Sequence, residues 1–265
     1  MKISFSKYHG TGNDFIIIDN RELAWEPSTA EAANLCDRNF GIGADGLMLL
    51  SAIPDADFSM KYYNSNGLES TMCGNGGRCM AAYAAKLGLI KNNARFLAVD
   101  GLHEAVILNP GDHSAEVRLK MSDSRINREF EDGFFIQTGS PHFIKFVDDV
   151  KSINVFSEGR ALRYEDRFAP GGTNVDFVSI HPDYLEVRTY ERGVENETLS
   201  CGTGATAAAI AAAFQQPFNS GLYKIKTRGG NLKVGFHKSG KMFTDIWLEG
   251  PASFVFSGEI RINDK

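Results

Sequence analysis

The sequence predicts an α+β protein of two pseudo-symmetric domains, each a curved mixed β-sheet wrapped around a central α-helix. Three observations predict this fold: strand patterns outnumber helical ones, each half has one long helix that is apolar on all sides, and one motif occurs twice. A helix that is apolar all round is normally buried, so a sheet is expected to surround it. A chain of 265 residues accommodates two domains of ordinary size.

The repeated motif is a Cys-Gly-x-Gly turn that opens an Ala-rich stretch, first at Cys73 and again at Cys201. The two cysteines are 128 positions apart (201 − 73), and Tyr62 and Tyr190 each lie 11 positions before their cysteine. Because this spacing is about one domain length, it predicts a first domain over residues 1–121 and a second over 122–265. The last residues, 259–265, are expected to return to the first domain.

In the first domain, strands are predicted where apolar residues run or alternate between turn residues. One helix is predicted after a Ser-Thr-Ala-Glu capping box, and another after the first cysteine motif. The predicted strands are 3–8, 15–19, 47–50, 58–64, 94–100, 103–108 and 115–121, and the predicted helices are 28–39 and 74–87.

The second domain repeats this style, and the polar stretch 122–132 is predicted to join the two. A long helix is predicted directly after Cys201. The predicted strands are 134–138, 143–147, 175–180, 185–190, 223–227, 231–236 and 241–247.

Composition excludes several classes of protein. The net charge of −5 is spread over mixed signs, so no basic face favours a nucleic-acid partner. No segment approaches the roughly 20 apolar residues that span a bilayer, and no secretory signal opens the chain. The four cysteines lack zinc-site spacing, so no metal is expected and the thiols should be free. These features favour a soluble, cytoplasmic protein.

The two motif cysteines are the strongest candidates for catalysis. Most lone cysteines are small buried hydrophobes, and we interpret Cys36 and Cys79 in that way. Cys73 and Cys201 each precede a helix, where unpaired amides and the helix dipole lower a thiol's pKa and bind a carboxylate. Two such thiols suit the transfer of a proton between the two faces of one carbon. A dinucleotide-binding loop at the second motif is a weak alternative, because no acidic residue follows about 20 positions on.

Several polar residues would be unremarkable alone. Asn13, Asn64 and Asn174 each follow or interrupt a strand pattern, and turn chemistry explains such asparagines. His142 lies beside a Ser-Pro turn, and the Glu191-Arg192 pair is typical of an exposed ion pair of little value.

Taken together, however, the motifs resemble the diaminopimelate epimerase family over nearly the whole chain and in the same order. The matching segments are 9–15, 64, 72–79, 141–142, 190–193 and 200–204. The resemblance implies cofactor-independent interconversion of LL- and meso-2,6-diaminopimelate, in lysine and peptidoglycan-precursor synthesis. It also implies an active site in the cleft between the domains, a small-molecule substrate as partner and a homodimer.

The resemblance also assigns roles to individual residues. It implies that Cys73 and Cys201 are the two acid/base thiols and that His142 and Glu191 tune them. The implied substrate-binding residues are Asn13, Asn64, Gly74, Asn75, Asn174, Glu191, Arg192, Gly202 and Thr203.

Two departures from the family and two rival functions accompany this interpretation. Gly46 stands where some members carry Gln, which removes a side-chain contact, and Ser140 stands where many carry Asn. A proline or hydroxyproline racemase is the nearest rival enzyme, although such proteins usually have His where Asn75 stands. A non-catalytic amino acid binder or thiol redox sensor is the alternative from another class.

Overall fold

The computed structural model describes residues 1–111, 113–215 and 220–262, and the chain forms two compact units. The first unit comprises Met1–Leu119 together with the described residues from Pro251 onwards, and the second comprises Lys120–Gly250. Both consist mostly of strands with few helices. The predicted α+β fold class is therefore confirmed.

The first unit follows the predicted order of strands and helices, with one short strand added. Its elements are β1 (Lys2–Gly10), β2 (Asn13–Asp19), α1 (Thr29–Cys36), β3 (Gly46–Ser51), β4 (Phe58–Asn64), β5 (Glu69–Ser70), α2 (Gly74–Lys86), β6 (Asn93–Ala98), β7 (Gly101–Asn109) and β8 (Ser114–Lys120).

The second unit adds a helix that the sequence analysis missed. Its elements are β9 (Ser124–Phe130), β10 (Gly133–Gln137), β11 (Pro141–Phe146), α3 (Val155–Arg163), β12 (Asn174–Ile180), β13 (Leu185–Glu191), β14 (Asn196–Thr198), α4 (Gly202–Phe214), β15 (Ser220–Thr227), β16 (Gly230–Ser239) and β17 (Met242–Arg261), the last of which continues into the first unit.

In the first unit, the strands pair in an order that mixes antiparallel and parallel neighbours. The pairs β1–β2, β3–β4, β6–β7 and β7–β8 are antiparallel, whereas β2–β3 and β4–β6 are parallel. The end of β17 returns to pair with β1, with Lys2 opposite Arg261. α2 packs on β1, β2 and β7, and its residues from Gly74 to Ala84 are buried.

The second unit repeats this order of pairings. The pairs β10–β11, β12–β13, β15–β16 and β16–β17 are antiparallel, and β11–β12 and β13–β15 are parallel. The strand β9 joins β10 to β17 and so closes a ring of strands. α4 packs on strands on every side of this ring and is buried almost throughout. The duplicated motif therefore reflects a duplicated architecture with a central helix in each unit.

Three element predictions are wrong in detail. The helix predicted over 28–39 ends at Cys36, because Asp37 takes an extended backbone and caps the following turn. The polar stretch 122–132 contains β9, in which Ser124 and Ile126 are buried and most other residues are exposed. The missed helix α3 does carry a start signal, since Asn154 accepts a hydrogen bond from the Ser157 amide.

Each unit also has an apolar cluster around its other helix, which is α1 in the first unit and α3 in the second. In the first unit, Ala32 and Leu35 of α1 pack with Trp25 and the apolar residues of β2 and β3. In the second, Val155 and Leu162 of α3 pack with residues of β11, β12 and β13. Among the described residues, no helix is long and apolar enough to cross a membrane.

Candidate active site

Cys73 is the N-cap residue of α2 and is half-buried. Its backbone is extended, with φ −93° and ψ 130°, and the helix begins at Gly74. Gly76 lets this first turn approach the sheet closely, since a Cβ there would lie 3.0 Å from Met48 Sδ and 3.5 Å from Phe15 Cζ. The motif glycine therefore presses the start of α2, and the thiol with it, against β2 and β3.

Two predicted asparagines meet at the Cys73 thiol. Asn13 Oδ1 lies 3.5 Å from Cys73 Sγ and accepts a hydrogen bond from Asn75 Nδ2 at 3.3 Å. Asn13 itself donates to Asp45 Oδ2 at 2.7 Å. The two-residue turn between β1 and β2 places Asn13, because Thr11 and Gly12 have the positive φ angles of 51° and 87° that such hairpins need.

Behind Asn13 lies an ionic cluster of Lys7, Asp14, Arg38 and Asp45. Arg38 donates to Asp14 at 2.7 Å and to Asp45 at 2.8 Å, and the buried Lys7 pairs with Asp14 at 2.7 Å. Burial acts to raise the pKa of Asp14, but the hydrogen bonds and charges of Arg38 and Lys7 together outweigh it and lower that pKa to about 2. The cluster holds the carboxylate of Asp45 beside Asn13.

Asn64 and Gly46 lie directly opposite each other on β4 and β3. At Gly46, a Cβ would lie 2.4 Å from the Tyr62 ring and 2.6 Å from the Tyr63 carbonyl oxygen. The ring of Tyr62 therefore occupies the space that a side chain at position 46 would need. Some family members carry Gln at position 46. In this protein the residue is Gly, and the Tyr62 ring fills the space beside it.

Cys201 is the N-cap residue of α4 and is buried, with φ −120° and ψ 116°. Burial raises the pKa of its thiol well above the usual value, and the negative charges of Glu191 and Asp176 raise it further. Hydrogen bonds from Thr203 and from the Gly204 amide act in the opposite direction but are outweighed. The expectation that the helix start lowers this thiol's pKa is therefore wrong for Cys201, because desolvation dominates.

A buried His–Asp pair lies next to Thr203. Asp176 Oδ2 lies 2.6 Å from His142 Nδ1, and both side chains are fully buried. The other oxygen of Asp176 accepts a hydrogen bond from the Thr189 hydroxyl at 2.6 Å. In the neutral tautomer that donates Nδ1–H to this carboxylate, His142 Nε2 is a hydrogen-bond acceptor. Gly204 makes room for this pair, since a Cβ there would lie 2.3 Å from Asp176 Oδ1.

Thr203 connects this pair to the thiol. Its Oγ1 lies 3.3 Å from Cys201 Sγ and 2.9 Å from His142 Nε2. The Ser140 hydroxyl lies 2.9 Å from the same histidine nitrogen and 3.1 Å from Thr203 Oγ1. A row of hydrogen-bonding groups thus leads from Cys201 through Thr203 and His142 to Asp176, and Ser140 joins it despite its short side chain.

The remaining predicted residues of the second unit border this row. Asn174 donates to the Pro141 carbonyl at 2.8 Å and to the Ser140 hydroxyl at 3.3 Å. Its Oδ1 accepts the Arg192 amide at 2.7 Å. Glu191 is the last residue of β13 and contributes negative charge near Cys201. The Arg192 guanidinium lies 3.4 Å from the Gly171 carbonyl.

Sequence analysis missed four polar residues at these sites: Asp45, Arg78, Asp176 and Thr189. A signal existed for Asp176, which lies two positions after Asn174 on β12 and so faces the same side of the sheet. Thr189 is its direct cross-strand neighbour. Arg78 lies within the first cysteine motif, but no role was predicted for it.

The other two cysteines lie in α1 and α2. Cys36 and Cys79 are buried, as expected, and burial raises the pKa of each thiol to about 12. All four cysteines are free thiols. In the described part of the chain, no cluster of three or more His, Cys, Asp or Glu residues is arranged to hold a metal ion.

Comparison with known proteins decides the family. The family model for diaminopimelate epimerase matches residues 5–124 and 134–255. The chain belongs to the diaminopimelate epimerase family. It is 49% identical to the diaminopimelate epimerase of Flavobacterium psychrophilum over 96% of this chain and 98% of that protein. Its identity to the diaminopimelate epimerase of Chlorobaculum tepidum is 42%, over 96% and 99% of the two chains.

Solved structures show the same fold at low identity. The PhzF-family phenazine biosynthesis protein of Bacillus anthracis superposes with a TM-score of 0.77 at 15% identity, over 99% of this chain and 100% of that one. A probable proline racemase from Agrobacterium radiobacter superposes with a TM-score of 0.70 at 15% identity, over 98% and 93%. The diaminopimelate epimerase family therefore shares its fold with proteins of other functions, and the fold does not choose between them.

Proposed function

We propose that this protein is an isomerase that interconverts LL- and meso-2,6-diaminopimelate. The observation that carries the proposal is a thiol at the start of a buried 13-residue helix, present once in each unit. Backbone amides at a helix start stabilise an anion placed against them. A carboxylate bound there brings its α-carbon next to sulfur, which is the arrangement that α-proton exchange requires.

The proposed reaction uses the two thiols in opposite roles. In one direction, the thiolate of one cysteine removes the α-proton, and the thiol of the other delivers a proton to the opposite face of the same carbon. The electron pair of the broken C–H bond passes to the carbanion and then to the new C–H bond. The reverse reaction exchanges the roles of Cys73 and Cys201, and proton exchange with solvent resets the pair.

Stabilisation of the carbanion is the main energetic requirement, because an amino acid α-proton is far less acidic than a thiol. We assign this task to the amides of Gly74 and Asn75 on α2 and of Gly202 and Thr203 on α4. A preorganised donor aimed at developing charge contributes roughly 3–4 kcal/mol. This mechanism needs neither a metal nor pyridoxal phosphate.

The polar residues around the thiols give the proposal its specificity. Diaminopimelate has a second amino acid end, and a distal ammonium and carboxylate call for partners of both charges. Glu191 and Arg192 supply them, and the amides of Asn13, Asn64 and Asn174 complete the binding set. A substrate without that end leaves these groups unpaired, so discrimination should be large.

His142 and Glu191 are proposed to tune the Cys201 thiol. The hydrogen-bonded row from Cys201 through Thr203 to His142 supports this role, as does the negative charge of Glu191 near the sulfur. A proton can be held or passed along this row while the thiol changes charge. Asp176 fixes the orientation of the histidine ring.

The cellular context is proposed on the family resemblance. The product serves lysine and peptidoglycan-precursor synthesis, the protein acts in the cytoplasm, and two copies form a homodimer. Analytical ultracentrifugation at micromolar concentration tests the last point, and a single species of monomer mass would contradict it.

The decisive experiment follows the α-proton in D₂O. The reduced protein is incubated with LL-diaminopimelate, and NMR records the α-proton signal and the meso isomer, with proline as a parallel substrate. The expected result is deuterium entry with meso product from diaminopimelate and no exchange from proline.

Two other outcomes would overturn the proposal in distinct ways. Exchange with proline alone would identify a proline racemase. No exchange with either substrate, in protein whose thiols are titrated as free, would favour an amino acid binder or a thiol sensor.

A further inference from the structure

Among the described residues, Arg78 is the largest fully buried side chain, and it forms no salt bridge with a carboxylate there. Its Nη1 donates to the Gly74 carbonyl at 3.2 Å and its Nη2 to Asn75 Oδ1 at 2.9 Å. Its Nε is buried without a hydrogen-bond partner. An arginine stays protonated in proteins, and a buried charge without a salt-bridge partner in direct contact is costly. Such a residue calls for a functional reason.

The surroundings of Arg78 connect it to the Cys73 thiol. Arg78 holds Asn75 Oδ1, so that the Asn75 Nδ2 group points to Asn13 Oδ1, which in turn lies 3.5 Å from Cys73 Sγ. Gly10 at the end of β1 closes the other side, since a Cβ there would lie 3.2 Å from Arg78 Nη2 and 3.1 Å from the Asn75 carbonyl oxygen. The guanidinium is therefore fixed in one place behind the thiol.

The charges that act on this guanidinium include those of Cys73 at the N-cap of α2, Cys79 on α2 and Glu116 on β8. Burial raises the pKa of Cys79 to about 12, and burial also raises the pKa of Tyr8 on β1. A thiolate at Cys73, whose thiol lies 3.5 Å from the Asn13 oxygen that Asn75 contacts, is a negative charge that Arg78 can favour.

We infer that Arg78 is a positioning residue for the Cys73 site, whose charge favours the thiolate of Cys73 and whose fork fixes the Asn75 amide for substrate binding. The inference rests on the proposed function only in the second part. The first part concerns the reactivity of a thiol and holds whatever the substrate is. The two parts are separable, because lysine keeps the charge of Arg78 and loses its fork.

The experiment measures alkylation of each thiol in the absence of substrate. The protein is treated with iodoacetamide over a range of pH, and peptide mass spectrometry gives separate rates for Cys73 and Cys201. In Arg78→Met, alkylation of Cys73 near pH 7.5 should slow about tenfold, because a nearby cation increases the thiolate fraction. The Cys201 rate in the same sample is the internal control and should not change.

Arg78→Lys separates the two roles. Alkylation of Cys73 should stay close to the wild-type rate, whereas KM for diaminopimelate should rise about fivefold, because a lysine cannot reproduce the forked hydrogen bonds. A KM equal to that of the wild-type protein would contradict the positioning role. This variant also decides the matter if Arg78→Met does not fold.

A matched control is Arg167→Met in the second unit. Arg167 makes a bidentate pair with Asp132, at 2.7 Å and 2.8 Å. Its loss should lower the thermal midpoint and leave Cys73 alkylation unchanged. An Arg78→Met protein that folds and shows the wild-type pH curve for Cys73 would overturn the inference. Because no substrate is present, that result is distinct from a failure of the epimerase proposal.

Discussion

The Cys73 and Cys201 sites have the same backbone arrangement, but the charged groups around the two thiols differ. Each cysteine is the N-cap residue of a 13-residue helix, and the backbone of the cysteine itself is extended. A motif glycine lets each helix start approach the sheet closely. Around Cys73 lie two asparagine amides and the buried Arg78, whereas Cys201 faces Asp176 and Glu191. The repeat therefore has the same helix start in both units, whereas the electrostatic surroundings of the two thiols differ. Two different surroundings suit a reaction in which one sulfur gives a proton and the other takes one.

Removal of either motif thiol should have the largest effect on activity. Cys73→Ala and Cys201→Ala should each lower kcat for epimerisation by about a thousandfold or more, because one thiol cannot serve both faces of a carbon. The measurement is the NMR assay in D₂O. Cys36→Ala, which removes a buried thiol of α1, is the matched control and should retain activity. Full activity in either active-site variant would refute the two-thiol mechanism.

Removal of the Asp176 charge should have a smaller effect on kcat and should change the reactivity of only one of the two thiols. Asp176→Asn should lower kcat about a hundredfold, because the His142 ring loses the carboxylate that fixes its orientation. The change also removes a negative charge that raises the pKa of Cys201, so alkylation of Cys201 at pH 8 should become faster while that of Cys73 does not change.

The control for this variant is Asp183→Asn, at an exposed position between β12 and β13. It should leave both kcat and the alkylation rates as they are. A loss of kcat in Asp176→Asn without any change in Cys201 alkylation would show that Asp176 acts through the orientation of His142 and does not set the pKa of the Cys201 thiol.

The smallest effect concerns the ionic cluster behind Asn13, which has no counterpart at Cys201 among the described residues. The pKa of Asp14 is about 2 in the folded protein, below its usual value near 4. A depressed carboxylate pKa stabilises the fold above the unfolded-state pKa, and the stabilisation is lost as the pH falls from about 4 to about 2. Its expected size is about 1–2 kcal/mol, since Arg38 is largely exposed and screened.

Urea denaturation at several pH values measures this contribution. Asp14→Asn should be less stable at pH 7, because the buried Lys7 loses its partner, and its stability should fall less between pH 4 and pH 2. Asp55→Asn removes an exposed carboxylate of the same unit and serves as the control. An unchanged acid dependence in Asp14→Asn would exclude Asp14 as its source.

The residues that the sequence predicted are those with a local signal. The capping box at Ser28, the first two strands and the two helix starts all have signals in neighbouring residues, and the structure has each of them. The repeated motif also predicted one central helix in each unit. Local chemistry was sufficient for most of the predicted strands, for both central helices and for the helix-start positions of the two thiols, but not for α3 or β9.

The rest depends on contacts between distant segments. The pair of His142 and Asp176 spans 34 positions, and it forms because β11 and β12 are parallel neighbours. The space at Gly46 is filled by Tyr62 of the next strand, which only the register of β3 and β4 reveals. Desolvation of Cys201 likewise arises from tertiary packing, and it reversed the pKa direction expected from the helix start alone.

The strand β17 has a consequence for the order in which the protein is made. It begins in the second unit, and its end pairs with β1, so that Met1 and Ile262 exchange backbone hydrogen bonds. β1 and its neighbour β2 leave the ribosome together, yet the other partner of β1 emerges only after some 250 further residues. The first unit therefore has an open strand edge while the second unit is synthesised, which departs from the usual N-terminal-first order of folding during synthesis. Until the end of β17 has emerged, β1 is the edge that a chaperone would have to protect.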